Sequence, residues 1–425
     1  MHEREVITLS HSLSGRPSGR RRKRRRRRFV PSPLAKAVAF VSFWLFFVFL
    51  ITRRSESPNF ELYSSQAPQC HLISEEKDLS FTLVTQLSHD RIWMMKHHCQ
   101  RFPHPMSIAL WTNSTLKDTK DELVGLGCDL NLLQVQILDA SSGAYDDYPV
   151  NQLRNLALQN VRTTHIIYID VDFWTSEGLY EILTEEPSIS EALIKNEKQA
   201  LVIPAFQLFR QCRQWKDCRE KNLPHMPYSR YDLSEMLKHK RGFIFDPTNK
   251  GGHGSTLYKE WMQQDPGTLL EIPCLQSNRY EPFLVVRYCQ ALPPFQEGFS
   301  GYGKNKMTWM MQMIRSGYSL SQIGGVYLVH YPHLDSASRQ HWNQAPDQLV
   351  VSKENDKPQQ LAQLRKPKAS DNVNFEDFKR GQVDKLFVEF RKWLYKTVPD
   401  ESKIHLCKDH QDDDSKLWVQ RTSTQ

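Results

Sequence analysis

The stretch HIIYIDVDFW, residues 165–174, decides how this chain is read. Ile166, Ile167 and Ile169 form the apolar run of a buried strand, and the run ends in Asp170 and Asp172. Alternate residues of a strand share a face, so both carboxylates would point the same way. Two such charges repel at close range unless one is protonated or a cation lies between them. The pattern predicts a cation-binding strand end. The plainer alternative is a pair of loop aspartates capping a helix that begins near Ser176. A cap needs one acceptor, not two acids on one face.

The flanking segments alternate in type. FTLVT (81–85), SIALWT (107–112), LLQVQIL (132–138), residues 165–171 and ALVIPAF (200–206) read as strands. SHDRIWMMKHHCQ (88–100), capped by Ser88 or Asp90, and NQLRNLALQNV (151–161) read as helices. This alternation predicts a parallel, doubly wound α/β sheet. Ligands of such sheets sit beyond the carboxyl ends of the strands, where Asp170 and Asp172 fall.

The formal charge of +8 is unevenly placed. Residues 1–36 hold twelve Lys/Arg and two Glu, a local +10, which leaves −2 for the rest of the chain. A near-neutral body argues against a nucleic-acid partner. RRRKRRRRR (20–28) directly precedes an apolar run and reads as the cytosolic flank of a membrane anchor. The uncharged residues 37–52 span about 24 Å at 1.5 Å per residue, short against a bilayer core of about 30 Å. Short spans suit the membranes of the early secretory pathway. The run ends in bulky residues, unlike the small-residue end of a cleaved signal peptide.

The expected organisation is a basic cytosolic tail (1–33), a transmembrane anchor (34–52), a polar stem (53–77) and a catalytic domain (78–342). A polar, disordered segment (343–374), an amphipathic helix (375–397) that packs back on the domain, and a tail (398–425) follow. Eight cysteines without zinc spacing fit an oxidising lumen. Cys212 and Cys218, flanking a polar loop, are the expected disulfide. NST at Asn113 is a glycosylation sequon.

YPVNQLRN (148–155) followed by HIIYIDVDFWTSEGLYEIL (165–183) resembles the LARGE-type glycosyltransferases and the β-1,4-glucuronyltransferase that primes matriglycan. The resemblance extends in consistent order through residues 82–111, 201–207, NRYEPFLVVRY (278–288), FSGYGKNKMTWMMQMIRSGYSL (299–320) and VYLVHYPH (326–333). It departs in residues 210–230, which match nothing with assurance, and in domain count, since LARGE proteins carry two catalytic domains and this chain only the second type.

The resemblance implies a GT-A fold, a UDP-sugar donor, a Mn²⁺ (or Mg²⁺) ion and inversion at the anomeric carbon. Asp170 and Asp172 would hold the ion, Asp172 more directly, with His330 as a further ligand and His333 competing for that place. Thr85 and Gln86 would begin the uridine contacts. Arg154 and Asn155 would reach ribose or phosphate. Lys304 and Lys306 would meet the diphosphate or a uronate carboxylate. Inversion needs a base for the acceptor hydroxyl; Glu281 is preferred, because the family keeps an acid there, and Glu297 is the second candidate. An ordinary ion pair between Glu281 and Arg287 is the structural alternative.

The expectation is a Golgi or ER type II enzyme that passes glucuronic acid to a glycan or glycoprotein acceptor. Xylosyl or other UDP-sugar transfer, or an inactive lectin-like scaffold, are the alternatives.

Overall fold

Strands β1 (Phe81–Ser88), β2 (Met106–Thr112), β3 (Leu133–Asp139) and β4 (His165–Tyr168) pair in parallel in the order β3-β2-β1-β4. Helices Leu116–Gly125 and Val150–Leu158 connect them. The computed structural model describes residues 59–64, 66–141, 147–212, 215–334, 339 and 375–408. The 34–52 anchor and the 343–374 segment lie outside these residues. Among the described residues, no helix is long and apolar enough to cross a membrane.

The short strand β5 (Phe173–Thr175) follows the aspartates. Then come β6 (Gln199–Ile203), β7 (Ala205–Leu208), β8 (Gly242–Ile244), β9 (Leu269–Glu271), β10 (Cys274–Leu275), β11 (Phe283–Arg287), β12 (Ser319–Ile323), β13 (Leu328–His330) and β14 (His405–Leu406). The large sheet continues β4-β11-β6-β12-β9, and a small sheet runs β5-β13-β7-β8. The sheet is α/β but mixed, which corrects the all-parallel expectation. β11 lies antiparallel between β4 and β6, and β9 is antiparallel to β12. A strand buried on both faces, as all of FLVVR is, is an unbroken apolar run whatever its direction. Direction follows from the connection, which the apolar pattern does not encode.

Period-two alternation sorts the core to the two faces of the large sheet. Leu83, Leu87, Ile108 and Ile167 pack on one side. Val84, Ala109, Ile166 and Tyr168 pack on the other, against Leu153 and Ala157 of the 150–158 helix. Fully burying each such aliphatic side chain contributes about 1.5–3 kcal/mol.

Two other boundaries change. The second half of the expected stem belongs to the fold: Phe60 packs 5.5 Å from both Phe390 and Trp393, and Cys70 is bonded to Cys289. Polar composition hid it, because the attachment is made by scattered contacts: one ring, one cysteine, buried Ala67 and Ile73, and the Glu61 carbonyl, which accepts from Gln296 and Gln312. The helix Phe375–Thr397 seats Phe387, Phe390 and Leu394 against Phe299 and Met307. The beginning of the expected tail is likewise anchored: Val398 and Ile404 are buried, β14 pairs with β10, and Cys407 is bonded to Cys274. A further disulfide joins Cys99 and Cys128. Cys212 is disulfide-bonded, while the side chain of Cys218, its expected partner, lies outside the described residues. The 88–100 segment is a 3-10 turn (His89–Met94) leading into helix Met95–Arg101, and Ser88 makes no side-chain cap.

Candidate active site

The large sheet hands over to the small one across residues 169–172, so Asp170 and Asp172 stand at the carboxyl end of β4 between the two sheets. Neither caps a helix: the next one, Leu179–Glu185, begins after Gly178, whose φ is +74°. The repulsion posed by the sequence is resolved by giving each carboxylate its own set of partners: two fixed cations at Asp170, and two imidazoles and Arg91 at Asp172.

Asp170 accepts from Gln86 Nε2 at 2.9 Å, Tyr168 Oη at 3.0 Å, Arg154 at 3.1 Å and Lys306 Nζ at 2.9 Å. Burial pushes its pKa up, but Lys306 and Arg154 outweigh this and hold it below the usual carboxylate range. Arg154 is positioned by Asn151 Oδ1 at 2.8 Å and lies between the rings of Tyr168 and Phe295, 5.4 and 5.2 Å from their centroids.

Asp172 faces imidazoles. His333 Nε2 lies 2.8 Å and His330 Nε2 3.7 Å from Asp172 Oδ2. Here too burial would raise the carboxyl, and hydrogen bonds from His330 and His333 hold it well below its ordinary value. Asp172, His330 and His333 offer ligand atoms that all lie within 4.8 Å of one another. One carboxylate oxygen and two imidazole nitrogens suit a borderline divalent ion such as Mn²⁺ or Zn²⁺ better than Ca²⁺. The donor set therefore fits a metal, held by Asp172 and both histidines, and Asp170 is not among the clustered atoms. Arg91, on the 3-10 turn after β1, reaches Asp172 at 3.6 Å and His333 Nδ1 at 3.1 Å.

Both carboxylates line a cleft of about 420 Å³, as do Gln86, Arg91, Arg154, Glu281, Lys304, Lys306, His330 and His333. Gly303 (φ +100°) and Lys304 (φ +60°) turn the chain into helix Asn305–Arg315, which brings Lys306 to the cleft. Lys304 instead pairs with Asp384 of the 375–397 helix. Glu281 is raised by burial, and Lys306 and Arg154 only partly offset the rise. It is not paired with Arg287, which meets Glu197 at 3.1 Å.

Three expected site residues sit outside the cleft lining. Thr85 is buried within β1. Asn155 donates to the Phe295 carbonyl and to Glu297, and Glu297 is exposed. Sequence reasoning missed Arg91 and Tyr168. Tyr168 was legible, standing two residues before Asp170 at the end of the same apolar run. Arg91 had a weaker signal, its place just beyond the carboxyl end of β1.

A family model described as a glycosyl-transferase for dystroglycan matches residues 128–357. Among curated proteins, the chain is 29% identical over 280 residues to the xylosyl- and glucuronyltransferase LARGE2s of Danio rerio, covering 62% of this chain and 33% of that protein. It is 28% identical over 262 residues to the human xylosyl- and glucuronyltransferase LARGE1, covering 60% and 31%. The glycosyltransferase-like protein gnt14 of Dictyostelium discoideum is 29% identical, covering 59% and 37%. The chain thus spans about a third of the length of these relatives. Among solved structures, GalNAc-T7 with UDP, GalNAc and Mn²⁺ aligns at TM-score 0.37 and 13% identity, over 76% of this chain and 59% of that one. With the family model covering more than half of its residues, the chain belongs to the glycosyltransferase family described as acting on dystroglycan.

Proposed function

We propose that this chain is a metal-dependent, inverting glycosyltransferase of the GT-A type that moves glucuronic acid from a UDP donor to a glycan on a glycoprotein. The observation that carries the reading is one cleft holding three parts: the Asp172–His330–His333 cluster, the cations Arg154 and Lys306, and a buried Glu281. A divalent ion, when bound, would neutralise charge on the departing diphosphate. Arg154 and Lys306 share one carboxylate, Asp170. They leave a net positive charge to meet a second anion, either phosphate or the uronate.

Glu281 takes the proton of the acceptor hydroxyl as that oxygen bonds to the anomeric carbon and the bond to UDP breaks. A carboxyl whose pKa is raised by burial is a better proton acceptor for that task than an ordinary one. The basic leader and the 34–52 run support a type II anchor in Golgi or ER membranes with the catalytic domain in the lumen, and the near-neutral body argues against a nucleic-acid partner. The test incubates the purified protein and Mn²⁺ with a panel of UDP-sugars and reads UDP release. Turnover with UDP-glucuronate above all others is expected. Preference for UDP-xylose moves the donor assignment, and no turnover with any donor defeats the reading.

A further inference from the structure

Strand pairing lays a strip of aromatic rings from the histidine cluster to the outer edge of the small sheet. Opposed residues on neighbouring strands share a face. Gln207 stands opposite Phe243, and Phe209 donates its N–H to the Arg241 carbonyl at 2.7 Å in the same register. Parallel pairing sets His330 beside Gln207. His330, Gln207 and Phe243 therefore form one row across three strands, on the face opposite to buried Phe206 and Leu208. Adjacent strands lie about 4.8 Å apart, which places β8 about 10 Å from the strand of His330.

Phe245 follows Phe243 by two residues and so shares its face. Its ring lies 5.2 Å from that of His330, and it lines the cleft. Phe209 and Phe243 are different: they are 43% and 49% exposed. An edge strand is ordinarily protected by charge or proline rather than by phenyl rings. Two exposed rings in line with the cleft offer an apolar surface that a ligand can cover.

We propose that Phe243 and Phe209 form an acceptor subsite, which holds the part of a glycan chain behind the sugar that reacts. The C–H face of a pyranose is apolar and its rim carries hydroxyls. Phenyl rings match the first, and Gln207 Nε2 can donate to the second. A protein partner fits poorly. Polar Gln207 and Arg241 share this face with the rings, and stable protein interfaces bury about 1,200 Å² or more. A narrow polymer, polar at its rim and apolar on its faces, matches the strip in width and chemistry. The subsite rests on the transferase reading and adds to it the path of the acceptor.

The test applies the full chain, with UDP and Mn²⁺, to an array of immobilised glycans, while calorimetry follows UDP binding separately. Wild type is expected to retain a defined group of glycans. Phe243→Ala and Phe209→Ala should each weaken retention about three- to tenfold, as expected for one lost ring contact. Phe243→Trp should keep it, and UDP affinity and melting temperature should not move in any variant. Unchanged retention by the doubly substituted protein overturns the subsite, as does UDP-loaded wild type that binds no glycan. Failure of wild type to bind UDP defeats the transferase reading and takes the subsite with it.

Discussion

His333 Nε2 lies 2.8 Å from Asp172 Oδ2, while Nδ1 of the same ring lies 2.7 Å from the Leu334 carbonyl. A neutral imidazole carries one proton, so these two contacts describe alternative tautomers. With the proton on Nδ1 and donated to Leu334, the Nε2 lone pair faces Asp172 and is ready for a metal. A carbonyl behind a ligating histidine commonly fixes this form. Arg91, donating to Nδ1 at 3.1 Å, favours the other tautomer and supplies positive charge beside Asp172.

Arg91 therefore competes with the cation. Arg91→Met is expected to tighten Mn²⁺ binding several-fold in the absence of nucleotide. Calorimetric titration of both proteins with Mn²⁺ measures it. Equal or weaker affinity in the variant would show that Arg91 supports the cluster rather than opposing it.

Asp172→Asn is expected to cut turnover by several orders of magnitude, because losing metal stabilisation of the leaving group removes several kcal/mol from the transition state. The metal-free fold should lose stability as well. The buried Arg91 guanidinium keeps its charge but loses its carboxylate, and breaking such a pair costs about 3–5 kcal/mol. Thermal melting in EDTA, read beside Mn²⁺-dependent UDP release, checks both halves.

Glu281→Gln should lower kcat by about 10²–10⁴ while leaving UDP affinity near that of wild type. The size of the side chain is kept and its basicity removed. A variant with unaltered kcat takes the proton-accepting role away from Glu281.

His165, buried in β4, is held from its ordinary 6.5 down to about 3 by burial first and Arg287 second. The unfolded chain binds this proton below pH 6.5 and the folded one does not until about pH 3. Stability from this group is present above pH 6.5 and declines as pH falls through that window. Each such proton contributes a slope of about 1.4 kcal/mol per pH unit. Buried His98 and His253 are depressed in the same direction, so the wild-type slope is a sum. Urea unfolding of His165→Phe from pH 4 to 6.5 should give a slope shallower by one proton. An identical slope would mean that His165 is protonated in the fold.

The strand-end aspartates and the histidines of VYLVHYPH were legible because position beyond an apolar run is a one-dimensional signal. The grouping of Lys306 and Arg154 on Asp170 was not. Arg154 stands in the middle of one helix and Lys306 at the start of another, 152 positions on (306 − 154), and only the sheet order brings them together. The same limit hid the antiparallel β11. Phe60 was invisible for a different reason: one ring in a polar segment has no periodicity, yet it completes the cluster of Phe299, Phe390 and Trp393.

The disulfide between Cys70 and Cys289 joins residues 219 positions apart. At a synthesis rate of about 5–20 residues per second, Cys70 waits about 10–40 s for its partner to be made. Cys99 and Cys128, only 29 positions apart, emerge within that interval. By the time Cys289 is made, six thiols, Cys70, Cys99, Cys128, Cys212, Cys218 and Cys274, have become available to one another. Maturation of this protein consequently depends on closing the Cys99–Cys128 link early or on reshuffling a wrong one. A cell poor in disulfide isomerase should accumulate the chain with Cys70 mispaired to one of the five other cysteines made before Cys289.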